Sequence, residues 1–272
     1  MARKRIETAS ATDLGNVRQY NEDSIAIDAD LGVVALADGM GGHRAGEVAS
    51  AMAAEIVLTG LRHRLPEFRS STSQHSRLLA VEESINQANK AIWDAAQASA
   101  TRQGMGTTLA MSVFCNGKVV LGHVGDSRIY RLRNGALRLL TRDDSLLRDQ
   151  VDIGLITAAE VGDSHNRNLV TQALGVAATV PAHVREDDAV PGDLFLLCSD
   201  GLNDMVDDSD IELILNSLAA NLPLAAQTLV QTAKDNGGYD NISVIVARVR
   251  KPRAVGRWLA RVFGRLRAAK AA

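Results

Sequence analysis

Acidic residues with the chemistry to hold a cation gather in five short clusters of this sequence. They are Glu22-Asp23 in GNVRQYNEDS, Asp38 in ADGMGGH, Asp126 in VGDSR, Asp200 in LCSDGL and Asp240 in YDNIS. Three of them close an apolar run of strand type (GVVALADG, VVLGHVGD, LFLLCSDG), and Asp240 directly precedes another, ISVIVARV. A carboxylate at a strand end, next to glycine or another small residue, is held rigidly and left open to a ligand. Any one Asp-Gly pair is explained by a turn, because both residues tolerate positive φ. The repeated placement against apolar runs is not. Carboxylates gathered in this way repel one another unless a cation neutralises them. Oxygen-only ligands favour hard divalent ions such as Mg²⁺ or Mn²⁺. The pattern therefore predicts a binuclear metal site assembled from distant segments.

The elements that must position these residues can be read from periodicity. Residues 6–13, 23–28 and 32–37 read as short strands, and 46–65 and 77–99 as long amphipathic helices separated by a polar loop from Pro66 to Ser76. Strands return in TLAMSVFC, KVVLGHVGD, SRIYRLR and ALRLL, separated by Asn116-Gly117, Asp126-Ser127 and Asn134-Gly135. The two Asn-Gly pairs are hairpin signals, so local antiparallel pairing is expected rather than a Rossmann-type sheet. Residues 142–180 read as irregular with short helical pieces. LFLLCS and ISVIVARV are strands flanking helices at 208–220 and 223–235, the first begun by Asp208 or Ser209 as N-cap. Many antiparallel strands with two helix pairs fit an α+β fold of two stacked sheets with helices outside.

Composition sets further bounds. The 272 residues are 46% hydrophobic and 23% charged, ordinary for a globular domain, while aromatics make up only 3%. The core should therefore be aliphatic. No apolar stretch is long enough to span a bilayer, and the start, MARKRIETAS, has no apolar signal region. Cys115 and Cys198 lie in strand-like runs and read as buried thiols of a reducing cytosol. Without a CxxC motif or a His pair at ligand spacing, zinc is not expected.

The ordered series GNVRQYNEDS, ADGMGGHRAGEVAS, GMGTT, GHVGDSRIYRL, LCSDGL and GYDNISVIV resembles the motifs of the metal-dependent PP2C (PPM) family of protein Ser/Thr phosphatases, over about residues 6 to 250. The resemblance is strongest to small bacterial members that reverse Hanks-type kinases. It implies a four-layer α-β-β-α sandwich with two Mn²⁺ or Mg²⁺ ions at one end. The ions would activate a water to attack the phosphoserine or phosphothreonine of a protein substrate and neutralise its phosphoryl oxygens. It also implies that Asp38 bridges the ions, that the Gly39 carbonyl binds one of them, and that Asp200 and Asp240 complete a shell. Glu22 and Asp23 would hold ion-bound waters, and Asp126 would serve a third ion, unless it is merely a hairpin residue. Arg18, four residues before Glu22, is the candidate phosphate clamp, since a guanidinium binds phosphate oxygens as a fork.

Two places depart from the family pattern. Distant relatives carry His directly after Asp-Gly, whereas here that position is Met40 and the histidine is His43. His43 is a candidate general acid or an anchor of its turn. Residues 143–165 resemble the flap over the family's active site, but Asp144 precedes Ser145 where a His is common. Gly104, Gly106, Thr107 and Thr108 match a family motif and read as packing and turn residues. A pseudophosphatase on the same fold would need a lost metal ligand, and none of the core acids is missing. Phosphatases of anti-sigma-factor antagonists share the superfamily, but the GDSR and flap segments resemble the kinase-reversing type.

Residues 1–250 are expected to form the phosphatase domain and 251–272 a basic tail. The tail supplies +7 and no acid to a net charge of −2, which leaves −9 on the body. Trp258, Leu259, Val262, Phe263 and Leu266 share one helical face beside Arg257, Arg261 and Arg265. Such a helix can lie on an anionic membrane or in a partner's groove. The alternatives are packing on the chain's own acidic body and a solvated tail. Expected partners are phosphorylated proteins, among them a Ser/Thr kinase. No nucleic acid is expected, because the tail lacks an aromatic-interleaved groove. The expectation is a cytoplasmic monomer, with the tail able to bring it to the inner membrane face.

Overall fold

The structure is a computed structural model that describes residues 6–41, 45–70 (without the side chains of 65–70), 73–157 and 169–250. In chain order its elements are β1 (Ile6–Asp13), β2 (Asp23–Asp28), β3 (Val33–Met40), α1 (Ala45–Ser70) and α2 (Gln74–Gln97). There follow β4 (Gly106–Thr107), β5 (Leu109–Cys115), β6 (Lys118–Val124), β7 (Arg128–Arg133), β8 (Ala136–Leu139) and α3 (Leu146–Asp152). The chain ends its described part with β9 (His183–Asp188), β10 (Leu194–Cys198), α4 (Asp200–Asn203), α5 (Asp208–Ser217), α6 (Leu222–Asp235) and β11 (Ile242–Val249).

One sheet has the order β1-β11-β10-β7-β8. The other has the order β2-β3-β5-β6-β9, with β4 paired to β3. All pairings are antiparallel. Strand alternation serves two apolar layers at once. On β3, Val34 and Leu36 face the layer between the sheets with Phe114, Phe195 and Ile245, while Val33, Ala35 and Ala37 face α1 and α2. On β11, Val244 and Val246 turn the other way, onto α5 and α6. Strands buried on both faces explain the near-continuous aliphatic runs. Phe114 and Phe195 lock the sheets together edge to face, with ring centroids 5.1 Å apart. The architecture is the expected four-layer α-β-β-α sandwich.

The hairpins turn where expected, with Asn116 at φ 52° and Asn134 at φ 53°. Three local expectations need correction. Asp126-Ser127 joins no hairpin, because β6 pairs with β5 and β9 whereas β7 pairs with β10 and β8. This segment carries the chain from one sheet to the other. Helix α1 runs through Pro66 to Ser70 and α2 begins at Gln74, so the polar loop shrinks to a short connection. Pro removes one helical hydrogen bond, but the surrounding Glu, Arg and Leu are good helix formers. Strand β9, HVREDD, lies where no strand was expected. It is a sheet edge, where charge blocks further pairing, and Arg77 of α2 covers it with a bidentate bond to Glu186 at 2.5 and 2.8 Å.

Candidate metal centre

Five backbone segments converge at one end of the sandwich: the start of β2, the end of β3, the turn after β6, the start of α4 after β10, and the residues before β11. They carry Asp23, Asp38, Asp126, Asp200 and Asp240 respectively. Asp23 and Asp38 are direct partners across the β2–β3 ladder. Like charges directly opposite one another weaken a sheet, so this pair serves something other than stability.

The electrostatics of the cluster follow from its burial. Removal from water raises the pKa of the Asp38 carboxyl far above the ordinary range, and Asp23, Asp200, Asp126 and Asp240 raise it further. Asp200 is raised in the same way, by burial and then by Asp126, Asp204, Asp240 and Asp23. Burial pushes Asp23 up to about 6 against the opposing bonds from Ser243 and Ser199, and Asp126 up to about 7. Asp23 Oδ1 and Asp200 Oδ1 are buried and lack any hydrogen-bond partner. An orphaned buried carboxylate oxygen is costly unless something cationic meets it. The donor set is all oxygen, so these residues fit hard divalent cations. No three His, Cys, Asp or Glu side chains among the described residues are already closed into a ligand cage. Asp240 instead accepts a 2.6 Å ion-pair bond from Arg18 Nη2.

The backbone around the acids is fixed tightly. Asp38 N–H donates to Thr108 Oγ1 at 3.0 Å, and its carbonyl accepts from Thr108 N–H and Thr107 Oγ1, both at 2.8 Å. Thr108 Oγ1 is in turn bonded to Ser127 Oγ at 2.7 Å, which ties Asp38 to the Asp126 turn. A Cβ on Gly39 would lie 2.2 Å from Gly46 O and 2.6 Å from Glu22 O, so only glycine lets β3 run this close to α1. The Glu22 carboxylate accepts N–H bonds from Gly46 and Glu47 in the first turn of α1, a favourable place for an anion, although burial raises its pKa overall.

Arg18 is half exposed, and its guanidinium is held charged by its bond to Asp240, with Asp200 and Asp38 adding to the field. A cleft of about 590 Å³ opens beside Asp126 and Asp200, bounded by Leu147 and Val151 of α3 and by Asp204 and Asp207. Asp144, the flap residue that departs from the family pattern, is buried. It accepts from Gly125 N–H at 3.0 Å and pairs with His183 Nε2 at 2.9 Å. Next to it, Arg128 grips Asp143 with its Nε and Nη2, with a shortest contact of 2.6 Å. Both bonds fasten the start of the flap to the Asp126 turn. His43, residues 158–165 of the flap and the 251–272 tail lie outside the described residues.

Two polar side chains went unassigned in the sequence, and a third, Thr108, was read only as a packing and turn residue. Asn241 accepts from Glu22 N–H at 2.9 Å and donates to the carbonyls of Leu14 and Tyr20 at 3.0 Å each. Ser199 donates to Asp23 Oδ2 at 2.9 Å while accepting from Ser243 N–H. Thr108 holds Asp38 as described. Asn241 and Ser199 directly follow or precede predicted acids, and that adjacency was the only available signal.

The sequence model of the Protein phosphatase 2C family matches residues 16–236. The chain belongs to that family. It is 38% identical over 245 residues to the serine/threonine protein phosphatase PstP of Mycobacterium tuberculosis, covering 90% of this chain and 45% of the relative, so it spans about half of that protein. It is 35% identical to the serine/threonine phosphatase stp of Listeria monocytogenes, covering 86% of this chain and 92% of that one. The crystal structure of the M. tuberculosis phosphatase PstP/Ppp superposes with a TM-score of 0.81 at 36% identity, over 90% of this chain and 99% of that one. The PstP catalytic domain in complex with two manganese ions gives 0.78, with the same identity and coverage.

Proposed function

We propose that this chain is a metal-dependent phosphatase that hydrolyses phosphoserine and phosphothreonine on proteins and reverses a Hanks-type Ser/Thr kinase. The observation that carries this reading is the buried acid cluster at one end of the sandwich, with orphaned oxygens on Asp23 and Asp200 beside a guanidinium. Asp38, the Gly39 carbonyl, Asp200 and Asp240 would hold two Mn²⁺ or Mg²⁺ ions, Glu22 and Asp23 their waters, and Asp126 a third ion. When bound, the ions supply an activated water and neutralise charge on the phosphoryl group.

The chain's own residues do the rest. Arg18 orients the phosphate, exchanging its bond to Asp240 for the substrate's oxygens. Thr107, Thr108 and Ser127 keep Asp38 in place, so no reorganisation is needed as charge moves. His43 is the candidate donor of the leaving group's proton. The reading extends to a cytoplasmic monomer whose 251–272 tail sets where it acts.

Hydrolysis of p-nitrophenyl phosphate and of a phosphothreonine peptide, with Mn²⁺ and after exhaustive chelation, tests the reading. Asp38→Ala and Asp200→Ala should each remove most turnover, and activity should vanish with EDTA. Full activity in EDTA, or near-normal kcat in both variants, overturns it.

A further inference from the structure

We propose that the loops carrying Arg18 and Asp240 form an apolar rim that grips the polypeptide beside the phosphoresidue, selecting segments with aliphatic or aromatic flanks. The proposal deepens the phosphatase reading and rests on it.

The chain is poor in aromatics and has three tyrosines. Tyr130 is fully buried, whereas Tyr20 is 48% exposed and Tyr239 64% exposed. These two are the exposed aromatic side chains among the described residues, and both lie within two positions of the Arg18–Asp240 ion pair. Val17, 61% exposed, adjoins Arg18, and Leu14 lies on the same loop. Single exposed apolar residues are ordinary. Here several of them, including both exposed tyrosines, ride on two apposed loops at one functional point.

Those loops are stitched into one rigid body. Asn16 N–H donates to Gly238 O at 2.7 Å, and its side chain donates to Lys234 O at 2.8 Å. Asn241 Nδ2 reaches back to Leu14 O and Tyr20 O. Gly15 packs so closely that a Cβ would stand 2.2 Å from Asp240 O. A rigid surface can present apolar side chains to a ligand at little entropic cost. Adjacent Cα atoms are about 3.8 Å apart in any chain. When a phosphate meets Arg18, substrate residues one or two positions away therefore come level with Val17 and Tyr239. With Arg18 engaged on the phosphate, what the rim offers the flanking residues is the apolar surface of Val17, Tyr20 and Tyr239.

The test compares two phosphothreonine peptides of equal charge, one with Leu and Phe flanks and one with Ser and Gly flanks, with p-nitrophenyl phosphate as a substrate too small to reach the rim. The enzyme is the full chain with Mn²⁺, as wild type, Val17→Ser, Tyr239→Ser and the double variant. Wild type should prefer the apolar peptide in kcat/KM by roughly threefold to tenfold, the scale of partly burying one such side chain. The double variant should lose that preference and keep its p-nitrophenyl phosphate turnover. Equal kcat/KM for both peptides in the wild type overturns the proposal, as does a preference that survives in the double variant. Concentration-dependent dimers abolished by the double substitution, with peptide preference unchanged, would assign the rim to a second copy of this chain and also overturn it. Metal-independent turnover, or none on any phosphoester, would instead refute the phosphatase reading, and the rim would fall with it.

Discussion

Replacing Asp126 by Asn should stabilise the metal-stripped protein, although it removes a candidate ligand. Asp126 is 8% exposed, and burial followed by the charge of Asp143 pushes its pKa from the ordinary 3.8 to about 7, with Arg128 opposing only in part. Between these values the unfolded chain releases a proton that the folded chain retains. The folded state is therefore fully favoured below pH 3.8, loses stability as pH rises, and carries the whole cost above about pH 7. Roughly three pH units at about 1.4 kcal/mol each give about 4 kcal/mol. The neighbouring acids share protons with Asp126, so removing this one carboxylate recovers only part of that, on the order of 2 kcal/mol. A gain of about 2 kcal/mol raises Tm by roughly 4–8 °C in a domain of this size. Thermal unfolding followed by circular dichroism in EDTA at about pH 8 should show that gain, and it should shrink towards about pH 4. Saturating Mn²⁺ should narrow or reverse the difference, because the wild type then gains more from the cation. An Asn variant equal to or less stable than wild type in EDTA at about pH 8 would refute the claim that these carboxylates are held against their own repulsion.

Arg18→Ala should raise KM for small phosphoesters about tenfold or more, with a smaller fall in kcat and under ~1 kcal/mol of stability lost, since its ion pair is half exposed. Steady-state kinetics and a melting curve check both parts. Gly39→Ala should lower Tm by several degrees and weaken Mn²⁺ binding by calorimetry, because its Cβ meets Gly46 O and Glu22 O, which are backbone atoms and cannot swing aside. Deleting residues 251–272 should leave turnover of p-nitrophenyl phosphate unchanged. Liposome flotation that is salt-sensitive for the full chain and absent for the truncated one would mark the tail as a membrane contact, whereas a marked fall in Tm on truncation would mean that it docks on its own domain.

Much of the fold was legible because burial imposes simple patterns. Strands buried on both faces, such as Leu194–Cys198, must be apolar throughout, and the half-buried Ile6–Asp13 and Asp23–Asp28 also occupy the expected residues. Asn116 and Asn134 marked their turns through the one conformation that few other residues tolerate. Strand β9 stayed hidden for the opposite reason. It is an edge, so its sequence answers to the need to avoid further pairing, and its strand character shows only in its pairing with β6 and in the grip of Arg77 on Glu186.

The acid cluster was legible for a related reason: a buried carboxylate is so unfavourable that its placement after an apolar run demands an explanation. The groups that hold the cluster in place carry no such signal. Ser199, Thr108 and Asn241 are residues that occur anywhere, and their roles depend on what lies opposite across distances of up to 227 positions in sequence. For Asp126 the sequence offered two readings, a candidate ligand and a hairpin residue. Its neighbours Gly125 and Ser127 suggest a hairpin, and only the sheet order shows the chain leaving one sheet for the other at that point. A crossover strains no local rule, so local reasoning cannot see it. It does place Asp126 between the sheets, where Asp38 and Asp200 also lie, and that location turns an ordinary turn residue into a member of a charged site.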